Sequence, residues 1–196
     1  MLWTLPNTLT WLRIGAIPLI VALFYLPYPW ADPASGLLFA LAGITDSLDG
    51  YLARRLGQTS RLGAFLDPVA DKLIVAVALV LIVSSDPLPA FRFEPAQVRA
   101  ILVLAAMVII GREIAVSALR EWMAELGQRR KVAVSQLGKY KTILQIVGLS
   151  MLLYRWEILG VPVYSFGLAL TVIASAFTLL SMIVYLRAAW PELRAR

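Results

Sequence analysis

"DPVADKLIVAVALVLIVSSDPLPAFRFEPAQVRAILVLAAMVIIGREIAVSALREW", residues 67 to 122, holds two apolar runs parted by a break with three prolines and several charges. Each run, Asp67–Val83 and Arg99–Trp122, falls in the range of roughly 17–25 residues that a helix needs to cross a bilayer. Proline and charge stop a helix and favour a polar surround, so the break reads as a loop between two spans. The pattern repeats outward. Further runs lie at Leu9–Tyr28, Ala34–Leu52, Gly138–Tyr154 and Val161–Leu186, with breaks at "PYPWADP", "RRLGQTSR", "GQRRKVAVSQ" and "RWEILGVP". The expected fold is an all-α integral membrane protein of about six transmembrane helices. No linker is long enough to part domains and no repeat is seen, so residues 1–196 form a single domain.

The composition agrees. The chain has 196 residues, is 60% hydrophobic and carries a net charge of +6, with a mean hydropathy of +0.79. Nucleic-acid binding is excluded as an expectation, because the basic residues are scattered between apolar runs and form no stripe. Their distribution instead sets orientation. Arg54, Arg55, Arg61, Arg129, Arg130, Lys131, Lys139, Lys141 and the tail arginines mark one side, against Arg92, Arg99 and Arg155 on the other. The positive-inside rule then puts both termini in the cytoplasm. The N-terminus lacks a basic region, so no cleaved signal peptide is expected. Trp3 and Trp11 suggest that the first segment partly follows the interface.

Against this background the carboxylates are clustered. Asp46, Asp49, Asp67 and Asp71 are four of six aspartates in the chain. On a helix, Asp46, Asp49, Gly50 and Ala53 share one face at i, i+3, i+4 and i+7, and Asp67 and Asp71 share another at i and i+4. Pro68 either opens the second helix or kinks it. Four carboxylates partly out of water repel one another and are costly to ionise. Two divalent cations would cancel their charge and form the usual clamp for displacement at phosphorus. Histidine and cysteine are absent, so any metal is held by oxygen, which favours Mg²⁺, Mn²⁺ or Ca²⁺. Solvation or pairing with Arg54, Arg55 and Lys72 accounts for one such aspartate more readily than for four on two matched faces.

The frame Asp46-x2-Asp49-Gly50-x2-Ala53-Arg54-x8-Gly63-x3-Asp67-x3-Asp71 resembles the signature of the CDP-alcohol phosphotransferase family. That resemblance implies six membrane helices, a site open to the cytoplasm, a homodimer, and transfer of a phosphatidyl-type group from a CDP-linked donor to an alcohol with release of CMP. It further implies that Asp46, Asp49 and Asp67 ligate a divalent pair (Mg²⁺ or Mn²⁺). Asp71 would contact the second metal and act as general base. Gly50, Arg54 and Ser60 would contact the CDP moiety of CDP-diacylglycerol, with Ala53 and Gly63 giving it room. Thr10 and Arg13, at i and i+3 in the first run, are either an interfacial pair or holders of the donor's ribose or diphosphate.

The acceptor is read from the second half. Arg112, Val116 and Arg120 stack at i, i+4 and i+8, with Glu113 and Ser117 beside them. Gly138, Lys141, Thr142 and Gln145 share a face of the next helix, with Lys139 beside it. Arginines on one face of a membrane helix are costly unless they meet an anion, and Arg and Lys donors suit a phosphate. Pairing with Glu113, Glu121 or Glu125 is the competing explanation, and snorkelling to headgroups is another. Arg129, Arg130 and Lys131 read as topology signals. The stretches "PNTLTWLRIGAIPLI", "REIAVSALREWMAELG" and "VAVSQLGKYKT" resemble bacterial family members whose acceptor is sn-glycerol 3-phosphate, and the last run reads as generic. The implied site is the cytoplasmic face of the cell membrane. Two other readings are weighed. One is a different acceptor such as inositol phosphate. The other is a divalent-cation transporter, which predicts matching carboxylates in both halves, and the second half has none.

Overall fold

Between its proline- and charge-rich breaks the chain is helical, as seen in a computed structural model that describes residues 5–56, 61–128 and 136–194. Side chains are described outside 5–7, 46–56, 61–62, 64 and 136–139. Trp3, Ser60 and the basic residues Arg129, Arg130 and Lys131 therefore lie outside the described residues. Six helices follow in order: α1 Leu5–Phe24, α2 Ala31–Leu56, α3 Arg61–Ser84, α4 Pro95–Glu125, α5 Gln136–Tyr154 and α6 Val163–Arg194. Among the described residues there is no strand, only isolated bridges, Ala90 to Phe93 and Ile158 to Val161, that close tight turns.

The helix ends differ from the apolar runs for local reasons. α4 begins four residues before Arg99. Pro95 takes the first turn, where a missing N–H costs nothing, and the Gln97 side chain accepts the Glu94 N–H at 3.0 Å. It ends with Gly127 at φ 71. There Gly127 N–H bonds Ala124 O at 3.0 Å and Gln128 N–H bonds Met123 O at 2.8 Å, the paired closure that a left-handed glycine permits. α3 starts at Arg61 rather than Asp67, so Pro68 falls inside the helix. α6 continues past Leu186 to Arg194, and α1 stops at Phe24.

α4 and α6, at 31 and 32 residues, are long and apolar enough to cross a membrane. Their lengths correspond to about 46–48 Å at the helical rise of ~1.5 Å per residue. α1, α2 and α5 contain shorter apolar stretches, Thr8–Phe24, Ala31–Thr45 and Tyr140–Tyr154. α3 carries Asp67, Asp71 and Lys72 in its first half.

α1 packs on α2 and α3, α2 on α5, α5 on α6, α6 on α4, and α3 on α4 and α5. Small residues set the closest crossings. A Cβ added at Gly36 would stand 2.7 Å from Ser150 O and from Tyr154 N, both backbone atoms. A Cβ at Gly148 would meet the backbone N of Thr171 at 3.0 Å, and one at Gly167 would meet Leu152 N at 2.9 Å. These contacts are of the backbone-to-backbone kind by which membrane helices associate. Large apolar side chains such as Leu37, Leu41, Leu104, Met107, Ile114, Ile143 and Leu180 point outward, while Arg13, Arg112, Lys141, Gln145, Thr171, Thr178 and Ser181 are buried. Apolar outside and polar inside suits a hydrocarbon surround.

At the far end of α3 from Asp67, Arg155 joins three elements. Its Nη2 donates to Asp86 O at 2.9 Å and its Nη1 to Ser85 Oγ at 3.3 Å, and its Nε lies 3.6 Å from Asp32 Oδ2. Asp86 also takes Arg99 Nη2 at 2.9 Å. Two of the three arginines assigned to this side, Arg99 and Arg155, are thus tied to its acidic residues.

Candidate active site

The packing of α1 on α3 brings Thr10 and Arg13 onto the two α3 carboxylates. Thr10 Oγ1 donates to Asp67 Oδ1 at 2.6 Å. Arg13 Nη1 pairs with Asp71 Oδ1 at 3.0 Å, with the arginine side chain 1% exposed and the aspartate 49%. In the sequence, Thr10 and Arg13 read either as an interfacial pair or as holders of the donor's ribose or diphosphate. The partners described for them are the two α3 carboxylates, which would hold metal and move the proton. A buried threonine and arginine fix both carboxylates from behind and leave them facing the cavity.

Asp46, Asp49, Gly50, Ala53 and Arg54 all fall on the last turns of α2, with side chains outside the described ones. Gly63 is buried near the start of α3. Among the described residues no group of three acidic side chains is placed to hold one metal ion, so the four-carboxylate grouping rests on its sequence frame, and the structure supplies Asp67 and Asp71. Those two, one turn apart on α3, give an all-oxygen donor set that fits a hard divalent cation.

Across the cavity stand the basic residues of α4 and α5. A space of about 510 Å³ is lined by Asp67, Asp71, Lys72, Arg112, Arg120, Lys141 and Thr142, among others. Adjoining it, through the shared residues Asp71, Glu113 and Lys141, a smaller space of about 110 Å³ is also lined by Arg13 and Gln145. Arg112 is buried. Its Nη2 donates to Ser181 Oγ at 2.8 Å and its Nη1 to Glu113 Oε1 at 2.9 Å. Arg120 Nη2 donates to Tyr185 OH at 2.7 Å. The Tyr185 ring lies under both guanidinium groups, 5.6 Å from Arg112 Cζ and 4.9 Å from Arg120 Cζ. Lys141 Nζ donates to Glu113 Oε1. The Nε of Arg112 and that of Arg120 are buried without a hydrogen-bond partner among the described residues. Lys139 is on α5, its side chain outside the described ones.

Arg112, Arg120, Lys141 and Thr142 therefore line the same cavity as Asp67 and Asp71. The competing explanation is also realised in part, because Glu113 pairs with Arg112 and Lys141. Sequence reasoning missed Ser181 and Tyr185. The last run is not generic: Thr171, Ala174, Thr178, Ser181 and Tyr185 recur at spacings of three or four and are all buried. That stripe, in an otherwise apolar helix, was the signal available.

A carboxylate pair facing a cluster of cations across one cavity, at the end of a helical bundle, defines a site for phosphate chemistry in a membrane-type scaffold. The model of the CDP-alcohol phosphatidyltransferase family matches residues 3–186, and the chain belongs to that family. Relatives match it over nearly its whole length. It is 48% identical over 193 residues, 98% of each chain, to the CDP-diacylglycerol–glycerol-3-phosphate 3-phosphatidyltransferase of Salmonella typhimurium. It is 49% identical over 195 residues to the protein of that name from Pseudomonas fluorescens, covering 97% of this chain and 92% of the relative. The Shigella flexneri protein of the same name is 47% identical over 193 residues, 98% of each chain.

Proposed function

We propose that this chain transfers the phosphatidyl group of CDP-diacylglycerol to the 1-hydroxyl of sn-glycerol 3-phosphate, giving phosphatidylglycerophosphate and CMP. The observation that carries the reading is the shared cavity, in which Asp67 and Asp71 of α3 face Arg112, Arg120 and Lys141. The names of its full-length relatives point to the same substrates.

Asp46, Asp49, Asp67 and Asp71 hold Mg²⁺ or Mn²⁺, which supplies charge neutralisation at the donor diphosphate. Gly50, Ala53, Arg54, Ser60 and Gly63 receive the CDP moiety while the acyl chains stay in the bilayer. Thr10 and Arg13 fix the Asp67 and Asp71 carboxylates in the orientation the site requires. Asp71 accepts the proton of the 1-hydroxyl, whose oxygen attacks the phosphorus that bears diacylglycerol. The bond from that phosphorus to the CMP oxygen breaks, and CMP departs. Arg112, Arg120, Lys139, Lys141 and Thr142 hold the acceptor's own phosphate, which passes unchanged into the product. Catalysis is then mostly positioning and electrostatics, as phosphoryl transfer generally requires.

The chain crosses the cytoplasmic membrane with six helices and both termini inside, and works as a homodimer. The basic bias of the α2–α3 and α4–α5 connections supports that orientation. The test is CMP release by the purified protein in detergent with CDP-diacylglycerol, divalent metal and a panel of alcohols. Release is expected with sn-glycerol 3-phosphate and far less with glycerol or inositol phosphate. Equal release with the other alcohols would overturn the acceptor assignment.

A further inference from the structure

Glu113 is a carboxylate for which the reaction above has no use, yet it stands at its centre. Its Oε1 accepts from Arg112 Nη1 at 2.9 Å and from Lys141 Nζ. The two cations are buried, at 7% and 5% side-chain exposure, whereas Glu113 is 27% exposed. Glu113 lines the large cavity together with Asp71 and Arg120. An anion that reaches Arg112 and Lys141 through that cavity therefore meets a carboxylate already bonded to them. Arg112 is anchored independently by Ser181, at 2.8 Å, so its guanidinium stays in place if the carboxylate turns away. Glu113 also has somewhere to go. It borders a groove of about 510 Å³ between α3 and α4 that is mostly apolar, with Val69, Leu73, Ile110 and Ile114 in its walls, but that offers Lys72 and Ser117 as polar partners for a turned carboxylate.

We propose that Glu113 is a resident competitor for the acceptor phosphate: its carboxylate and the phosphate take turns on Arg112 and Lys141. The inference rests on the reading that these cations bind that phosphate. The chemistry gives it a purpose. The acceptor's phosphate stays on the product, so cations that hold the substrate also hold the product. Interactions equally strong in both states lower KM without raising kcat, and they slow release. An internal carboxylate one swing away weakens both by the same amount, because two anions close together on one cation pair repel. When product leaves, the carboxylate closes back and neither buried cation is left without a counter-charge.

Glu113→Gln keeps the shape and removes the charge. With inorganic phosphate as a competitive inhibitor against sn-glycerol 3-phosphate, the phosphate Ki and the acceptor KM are both expected to fall about tenfold or more. kcat is expected to fall with them, and the CDP-diacylglycerol KM to stay as it is. A residue that merely props up the two cations moves these constants the other way. A rise in Ki and KM, or no change in either, would overturn the proposal. Because two buried cations lose their counter-charge, Glu113→Asp serves if the glutamine variant does not fold. It draws the carboxylate back by one methylene, and the same constants are expected to fall by less, an unchanged or raised Ki being the contrary result. Thermal unfolding in detergent gives a second readout: inorganic phosphate is expected to raise the midpoint of either variant more than that of the wild type, and an equal or smaller rise would contradict the proposal. Arg112→Ala separates the two levels. If it leaves phosphate inhibition at the wild-type value, the acceptor-site reading fails. If it abolishes inhibition while Glu113→Gln does not strengthen it, only the competitor role fails.

Discussion

Tyr185→Phe isolates what α6 contributes to the cavity. Tyr185 is buried, with its hydroxyl 2.7 Å from Arg120 Nη2 and its ring 4.9 Å from Arg120 Cζ. Phenylalanine keeps the ring under both arginines and removes one hydrogen bond to a charged group, worth about 1.5–3 kcal/mol. Were all of that lost from phosphate binding, the acceptor KM would rise about tenfold to a hundredfold. The retained ring still attracts the guanidinium, worth about 0.5–2 kcal/mol, so the lower end, about tenfold, is expected. Tyr185→Leu removes ring and hydroxyl together and should raise KM further. The assay is CMP release at saturating CDP-diacylglycerol with sn-glycerol 3-phosphate varied, then the converse. A folded Tyr185→Phe protein with wild-type acceptor KM, or with both substrate KM values raised alike, would refute the assignment of Tyr185 to positioning Arg120.

Asp71→Asn should lower kcat by about 10²- to 10⁴-fold, the usual contribution of a placed general base, with a smaller effect on the CDP-diacylglycerol KM. Lost donor affinity at intact kcat would make Asp71 a donor ligand. Thr10→Val removes the hydroxyl that bonds Asp67 at 2.6 Å. It should weaken Mn²⁺ binding, read by calorimetry or by metal-dependent thermal stabilisation, by about tenfold or more. EDTA should abolish turnover and Mg²⁺ or Mn²⁺ restore it. At the other end, Arg155 sits at φ 63, a left-handed backbone that costs a non-glycine residue about 1–2 kcal/mol. Arg155→Ala and Arg155→Gly both lose the bonds to Asp86 and Ser85, but only glycine relieves the backbone. Thermal unfolding should therefore rank Arg155→Gly above Arg155→Ala.

The helices were legible because hydrocarbon runs parted by proline and charge have few other structures open to them. Their ends were less so. α4 gains its first turn from Pro95 and the Gln97 side chain, and its stop from Gly127, local chemistry that hydropathy does not register. Arg112 and Arg120 were found from their spacing, since a charge in an apolar helix stands out. Ser181 and Tyr185 were not, because a serine or threonine in such a helix can satisfy itself, and a tyrosine there reads as one more large apolar side chain. Thr178 Oγ1 donates to Ala174 O at 2.6 Å, and Ser181 Oγ donates to Thr178 O at 2.8 Å. Only the packing of α6 on α4 turns Ser181 and Tyr185 toward the arginines. Thr10 and Arg13 show the same limit. Their shared face is visible in the sequence, but their partners lie 57 and 58 residues away, on whichever helix α1 happens to meet.

That Arg112 and its neighbours hold the acceptor's phosphate is tested most directly by comparing kcat/KM for sn-glycerol 3-phosphate and for glycerol, in wild type and in Arg112→Ala. A phosphate between these cations gains charge-assisted hydrogen bonds that glycerol cannot make. The wild type should strongly prefer the phosphate, and Arg112→Ala should narrow the ratio by lowering sn-glycerol 3-phosphate alone. A ratio that stays unchanged in the folded variant would contradict the account.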